Sequence, residues 1–302
     1  MPAPEALAEA AHRLGVSVSA EEVASNERLE ERMGPFDVVF PSDYLVERLA
    51  RRGALLELDL PAAVTGRIAP WAREAPHDPG CRVSLPFAFG TTGYLCGERL
   101  PDARTWMDLL RPPAGTRVGM LAEVREVVGA ALIALGLSPN DAGDEAVGRA
   151  RELLLAQRSQ VVGYDSDDFV SPVVHGAVAA HHAWSGPAAI AVRSHAGLRY
   201  VVPDEGAALW ITTGAVPAGS AHPEAARALL MELADPELAG LTTRTRGYAT
   251  PNEPARERLP SAVRDDRTLF PAAAVLERCH AFRDLGAAEA RLVGVFEEVT
   301  RA

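Results

Sequence analysis

Glu123 and Glu126 stand three residues apart where "EVREVVGAALIALG" begins, and the apolar spacing predicts one helix from about residue 123 to 135. Residues three apart share a helical face, so the two carboxylates form a paired negative charge. Acids in a first helical turn stabilise the macrodipole wherever they occur. Such a pair can also hold one cation. Glycoside cleavage needs acids that flank a bond, and one helical turn sets these two too nearly parallel for that.

A second set lies in "FDVVFPSDYLVERL", residues 36–49. Val38, Val39 and Phe40 read as a strand covered on both faces. From Tyr44 the spacing of Leu45 and Leu49 among charged residues predicts a short amphipathic helix stopped by Gly53. The hydroxyl of Ser42, the carboxylate of Asp43 and the phenol of Tyr44 therefore fall between a strand end and a helix start. In open α/β sheets ligands bind at that edge. The same residues also suit a plain helix cap.

Other candidates are weaker. His181 and His182 are adjacent in a predicted strand and point to opposite faces, which argues against a metal site with His175. "DSDD" at 165–168 lacks the glycine and distal glutamate of an EF-hand loop. Cys81, Cys96 and Cys279 are odd in number and widely spaced, and read as free buried thiols. The chain has no lysine, which excludes a Schiff base and a Walker A loop. No nucleophile elbow, HExxH or nucleophilic cysteine motif is present. The expectation is a protein that is not an enzyme and needs no metal or cofactor.

These residues are positioned by alternating strands and helices along 302 residues, without repeats or low-complexity linkers. "GVSVSA" reads as a strand and "EEVASNERLEERM" as a helix. The net charge of −11 argues against a nucleic-acid surface. No stretch approaches the roughly 20 apolar residues needed to cross a bilayer. "MPAPEALAEAAHRLG" shows no signal peptide pattern and reads as an amphipathic helix.

Taken in order, "SNERLEERM", "FDVVFPSDYLVERL", "SLPFAFGTTGYL", "TWMDLLRP", "REVVGAALIALG", "AWSG", "VVPDEG", "GYATPNEPAR", "RTLFP" and "DLGAAEA" resemble the spermidine/putrescine-binding proteins of bacterial polyamine ABC transporters. The resemblance implies an α/β, type II periplasmic-binding-protein fold, with two lobes joined by hinge strands and a ligand cleft between them. Lobe I is expected at 1–94 and 211–256, and lobe II at 95–210 and 257–302. The resemblance also implies an extracytoplasmic binding component of an ABC importer, periplasmic or extracellular and membrane-associated. Its partners would be a putrescine- or spermidine-like amine and a membrane permease, and it would be a monomer.

A polyamine site needs carboxylates for its ammonium groups and aromatic walls for its methylenes, because an unpaired buried cation is very costly. The resemblance assigns these roles to Ser42, Asp43 and Tyr44, to Glu123 and Glu126, and to Trp184, Trp210 and Tyr248. Phe89 adds a ring. Two positions depart from the family. Thr212 stands where the hinge strand carries an aspartate, and Phe282 stands at a glutamine-type contact, with Arg283 beside it. The departures widen the expectation to an amino-acid-like zwitterion. A further alternative is a cytoplasmic ligand-sensing domain of the same fold. The family's first strand, which precedes the opening helix, is expected to be missing.

Overall fold

The computed structural model describes residues 2–23 and 25–301. The chain divides into two compact units. The first runs through Phe89 and resumes over Trp210–Asp266; the second comprises Gly90–Leu209 and Arg267–Ala302. Two of the three crossings fall inside long strands, β1 (Ser84–Cys96) and β6 (Ala208–Ala215), and β6 pairs with β1.

In the first unit, α1 (Pro4–Leu14) begins with proline at its first turn and ends on Gly15, whose φ of 64° is left-handed. Its small residues Ala6 and Ala10, with Ala3 just before them, let it lie close to helices Pro223–Leu233 and Pro236–Arg246. They bury there with Phe87, Leu229, Leu233 and Leu238. The expected strand at "GVSVSA" does not form: no strand is assigned over residues 15–20, and Val16 and Val18 are exposed. Alternation alone makes no strand without a partner edge.

The helix expected over "EEVASNERLEERM" is shorter. Ser25 accepts the Arg28 N–H at 3.3 Å as N-cap, so α2 spans only Asn26–Glu31. Val38 to Phe40 is held by a single bridge, with Val39 and Ala215 exchanging both N–H···O bonds at 2.9 Å. Phe40 packs edge-on against Phe87. α3 (Asp43–Arg51) forms as expected, buries Leu45, Val46 and Leu49, and is followed by Gly53 at φ 63°.

The second unit holds the sheet, in the order β3–β2–β4–β1–β5, with β2 (Val118–Met120), β3 (Val161–Tyr164), β4 (Ala180–Trp184) and β5 (Arg199–Val201). β2 runs parallel to β3 and β4; β1 is antiparallel to β4 and β5. One face buries Tyr94, Cys96 and Met120 against helices Val124–Ala134, Asp144–Gln157 and Glu289–Arg301. The other buries Leu95, Ala183 and Phe169. Gly93 is required by close approach, because a Cβ there would strike the Val201 carbonyl of β5.

His181 and His182 point to opposite faces of β4, as their adjacency predicts. His181 lies near Phe169, and His182 meets Trp106 edge-on at 5.4 Å. The three cysteines are free. Burial, with Asp78 next in weight, pushes the Cys81 thiol up to about 12. Among the described residues no helix is long and apolar enough to cross a membrane.

Candidate functional site

In the first unit the Pro-Ser-Asp-Tyr turn is tied to two places far away in sequence. Ser42 forms an antiparallel bridge with Thr212 of β6, and the Thr213 N–H donates to the Pro41 carbonyl at 2.9 Å. The Ser42 side chain makes no capping bond to α3, although Ser42 is the N-cap residue. Instead Asn26 Nδ2 donates to Ser42 Oγ and to the Tyr44 phenol, both at 2.8 Å. Asn26 Oδ1 accepts the Ser42 backbone N–H at 3.2 Å. That last bond fixes which way the amide faces, since a backbone N–H can only donate. The Tyr44 hydroxyl in turn donates to Glu27 Oε1 at 3.4 Å. Buried Asp43 turns its Oδ1 to the Tyr44 N–H at 2.8 Å.

Besides Phe40 and Phe87, two further edge-on aromatic pairs lie in this unit. Trp210 and Tyr248 have ring centroids 5.3 Å apart at 82°, and Trp71 and Phe89 are 4.9 Å apart at 78°. The backbone N–H of Phe89 donates to the Ala249 carbonyl, which brings the Tyr248 segment alongside β1. Burial raises the Tyr248 phenol above its ordinary value, so it stays protonated. Trp210 Nε1 is buried without an acceptor among the described residues.

In the second unit a carboxylate is the centre. Glu126, in the first turn of the helix Val124–Ala134, accepts at Oε1 from the Thr92 hydroxyl at 2.9 Å and from Trp184 Nε1 at 3.4 Å. Thr92 and Trp184 are directly paired across β1 and β4, so sheet register places both donors toward one acid. Trp184 also stands edge-on to Phe169. Glu123 differs from the expectation of a shared helical face. Its φ and ψ of −122° and 118° are extended and make it the N-cap, one residue outside the helix.

Phe282 is buried within the second unit. The Arg125 guanidinium lies 4.8 Å from its ring centre, and a Cβ on Gly129 would press on the ring at 3.0 Å. Arg125 also donates to the Arg283 carbonyl and to Asn140 Oδ1, so this segment is fastened from both sides. No cluster of three His, Cys, Asp or Glu residues among the described ones could hold a metal ion.

Sequence reasoning missed Asn26, Glu27, Trp71 and Thr92. The signal for Asn26 lay in "SN": serine followed by asparagine is a helix-start pair, and reading the preceding acids as helical hid it. Thr92 and Trp71 carry no local signal; only strand pairing and ring packing reveal them.

Residues 10–271 match the model of the bacterial extracellular solute-binding proteins. The chain is 33% identical to the spermidine/putrescine-binding periplasmic protein 1 of Haemophilus influenzae, over 90% of this chain and 78% of the relative. It is 30% identical to the putrescine/cadaverine-binding protein of Pseudomonas aeruginosa, over 85% and 77%. A solved structure from Listeria monocytogenes, provisionally assigned to a spermidine/putrescine ABC transporter, superposes with a TM-score of 0.90 at 25% identity, covering 99% of this chain and 95% of that one. The architecture is thus that of the periplasmic binding proteins, as the ordered motifs imply. With the match spanning most of its length, the chain belongs to the bacterial extracellular solute-binding protein family.

Proposed function

We propose that this chain is the solute-binding component of an ABC importer, and that it binds a polyamine or a related small amine without chemical change. The observation that carries the reading is the Glu126 carboxylate flanked by the Thr92 hydroxyl and the Trp184 indole. A carboxylate beside an aromatic wall is what an alkyl ammonium requires, since charge pairing offsets its desolvation and the ring receives its methylenes. Glu123, the N-cap residue just before the helix that carries Glu126, adds a second acid. In the first unit the proposed contacts are Ser42, Tyr44 and Thr212 for polar groups, with Asp43 adding charge, and Phe89, Trp210 and Tyr248 for the chain. Phe282 supplies apolar surface next to Arg125. The relatives' names, which carry spermidine, putrescine and cadaverine, support the same ligand class.

On this reading the protein is a monomer that works outside the cytoplasm with a membrane permease and is not an enzyme. A thermal-shift panel with putrescine, spermidine, γ-aminobutyrate and amino acids at low salt tests it. A ligand that binds only the folded chain stabilises it by about 2.7 kcal/mol at a hundredfold excess over Kd. Polyamines should raise the melting temperature and Glu126→Gln should shrink the rise by half or more at the same ligand concentration; no shift with any amine would sink the proposal. One observation favours a second reading, an amino-acid-like zwitterion. The buried Trp210 Nε1 has no acceptor among the described residues, and a ligand carboxylate would provide one. A shift with γ-aminobutyrate alone would select that reading.

A further inference from the structure

We propose that Asn26 is a positioning residue of the binding site, setting the Ser42 and Tyr44 hydroxyls for the ligand without touching it; this rests on the reading that those two residues contact the amine. One side-chain amide engages three groups of the turn. Its two N–H groups go to Ser42 Oγ and the Tyr44 phenol at 2.8 Å each, and its carbonyl takes the Ser42 backbone N–H at 3.2 Å. No other residue type has both paired donors and an acceptor on so short a stem. Asn26 is the first residue of α2, held there by the Ser25 cap, so the amide is presented from a fixed point.

The arrangement also sets proton direction. Because Asn26 donates to both hydroxyl oxygens, neither hydroxyl needs to turn its proton toward Asn26. The Tyr44 proton goes to Glu27 Oε1, leaving the phenolic oxygen oriented as an acceptor, the polarity an ammonium N–H needs. The Ser42–Thr212 bridge carries the same constraint to β6. Asn26 thereby prepays the ordering of two side chains, and preorganisation of this kind raises affinity without adding a ligand contact.

Calorimetric titration with putrescine of four proteins tests this: the parent, Asn26→Ala, Ser42→Ala/Tyr44→Phe and the triple variant. Asn26→Ala should weaken binding about tenfold, and the triple variant should bind no more weakly than the double. If Asn26→Ala weakens binding by the same factor in both backgrounds, or leaves Kd unchanged, the positioning role is overturned while the reading of the turn stands. If Ser42→Ala/Tyr44→Phe keeps the parental Kd, the reading of the turn fails and this proposal falls with it. Backbone amide exchange in the ligand-free protein gives an independent readout. Asn26→Ala should speed exchange at Ser42 by about tenfold while exchange in α1 stays unchanged; an unchanged Ser42 rate would overturn the proposal. Should Asn26→Ala fail to melt cooperatively, Asn26→Ser, which keeps a short polar group at that helix start, takes its place in the cycle.

Discussion

The two units organise polar groups in opposite ways. In the second, donors converge on a charged acceptor: Thr92 and Trp184 both give hydrogen bonds to Glu126. In the first, a neutral amide holds two hydroxyls, with Asn26 between Ser42 and Tyr44, the exposed Glu27 carboxylate at the margin and the buried Asp43 turning its Oδ1 to the Tyr44 backbone N–H. A carboxylate centre attracts an ammonium directly. A hydroxyl centre mainly orients it, because a hydroxyl accepts the ammonium's hydrogen bond but brings no opposite charge to offset its desolvation. The contrast predicts that binding strength resides chiefly in the second unit and discrimination in the first.

The largest effect should come from removing the charge at the centre of the second set. Glu126→Gln keeps the shape and, in its carbonyl oxygen, one acceptor for Thr92 and Trp184, yet loses the negative charge that pairs with an ammonium, worth about 1.5–3 kcal/mol. Putrescine affinity measured by calorimetry should fall about tenfold to a hundredfold; an unchanged Kd would remove the second unit from its leading role. Converting the first set to the other type comes next. Thr212→Asp places a carboxylate opposite Ser42 across the bridge, and putrescine should then bind about tenfold more tightly. A weaker Kd in that variant would show that the hydroxyl centre is not merely a neutral version of the acidic one.

Several features of this comparison were open to sequence reading and others were not. The amphipathic run Leu45–Leu49 with Gly53, the helix Val124–Ala134 and the ordered motif series announce the binding-protein fold, because each depends on local periodicity or caps. The expected strand at Val38 to Phe40 shrinks to a bridge with Ala215, and the expected Glu123–Glu126 face is broken by the extended backbone at Glu123. The Asn26 clamp was hidden because its partners are 16 and 18 residues away and its helix begins later than the acids before it suggest. The Ser42–Thr212 bridge joins residues with no local signature at all.

Stability should separate from binding with pH, and His182 is the group that does so. It is fully buried in the second unit beside Trp106, and desolvation, with His181 nearby, lowers it to about 3. Unfolded, the imidazole titrates near 6.5, so the unfolded chain takes up a proton that the folded chain refuses. The neutral-histidine contribution is therefore fully present above about 6.5 and is lost progressively as pH falls toward 3, at a slope of about 1.4 kcal/mol per pH unit. Denaturant unfolding between pH 7 and 4 should show that slope reduced in His182→Phe; identical profiles would place the acid sensitivity elsewhere. The smallest effect is expected at the margin of the first set. Glu27→Gln removes an exposed charge, and putrescine affinity should fall only about twofold to threefold, less still at high salt. A loss as large as that of Glu126→Gln would make Glu27 a central charge of the first set and not a marginal one.

The most direct test of the account uses the four indoles as separate reporters, because Trp71, Trp106, Trp184 and Trp210 are the only tryptophans in the chain. Trp184 Nε1 donates to Glu126, Trp210 Nε1 is buried without an acceptor among the described residues, and Trp106 Nε1 is committed to the Gly206 carbonyl at 2.8 Å. Indole N–H resonances followed by NMR during a putrescine titration should shift for Trp184 and Trp210 with one common dissociation constant, while Trp106 stays nearly fixed. Saturable binding that leaves Trp184 and Trp210 unmoved would contradict the proposed amine site.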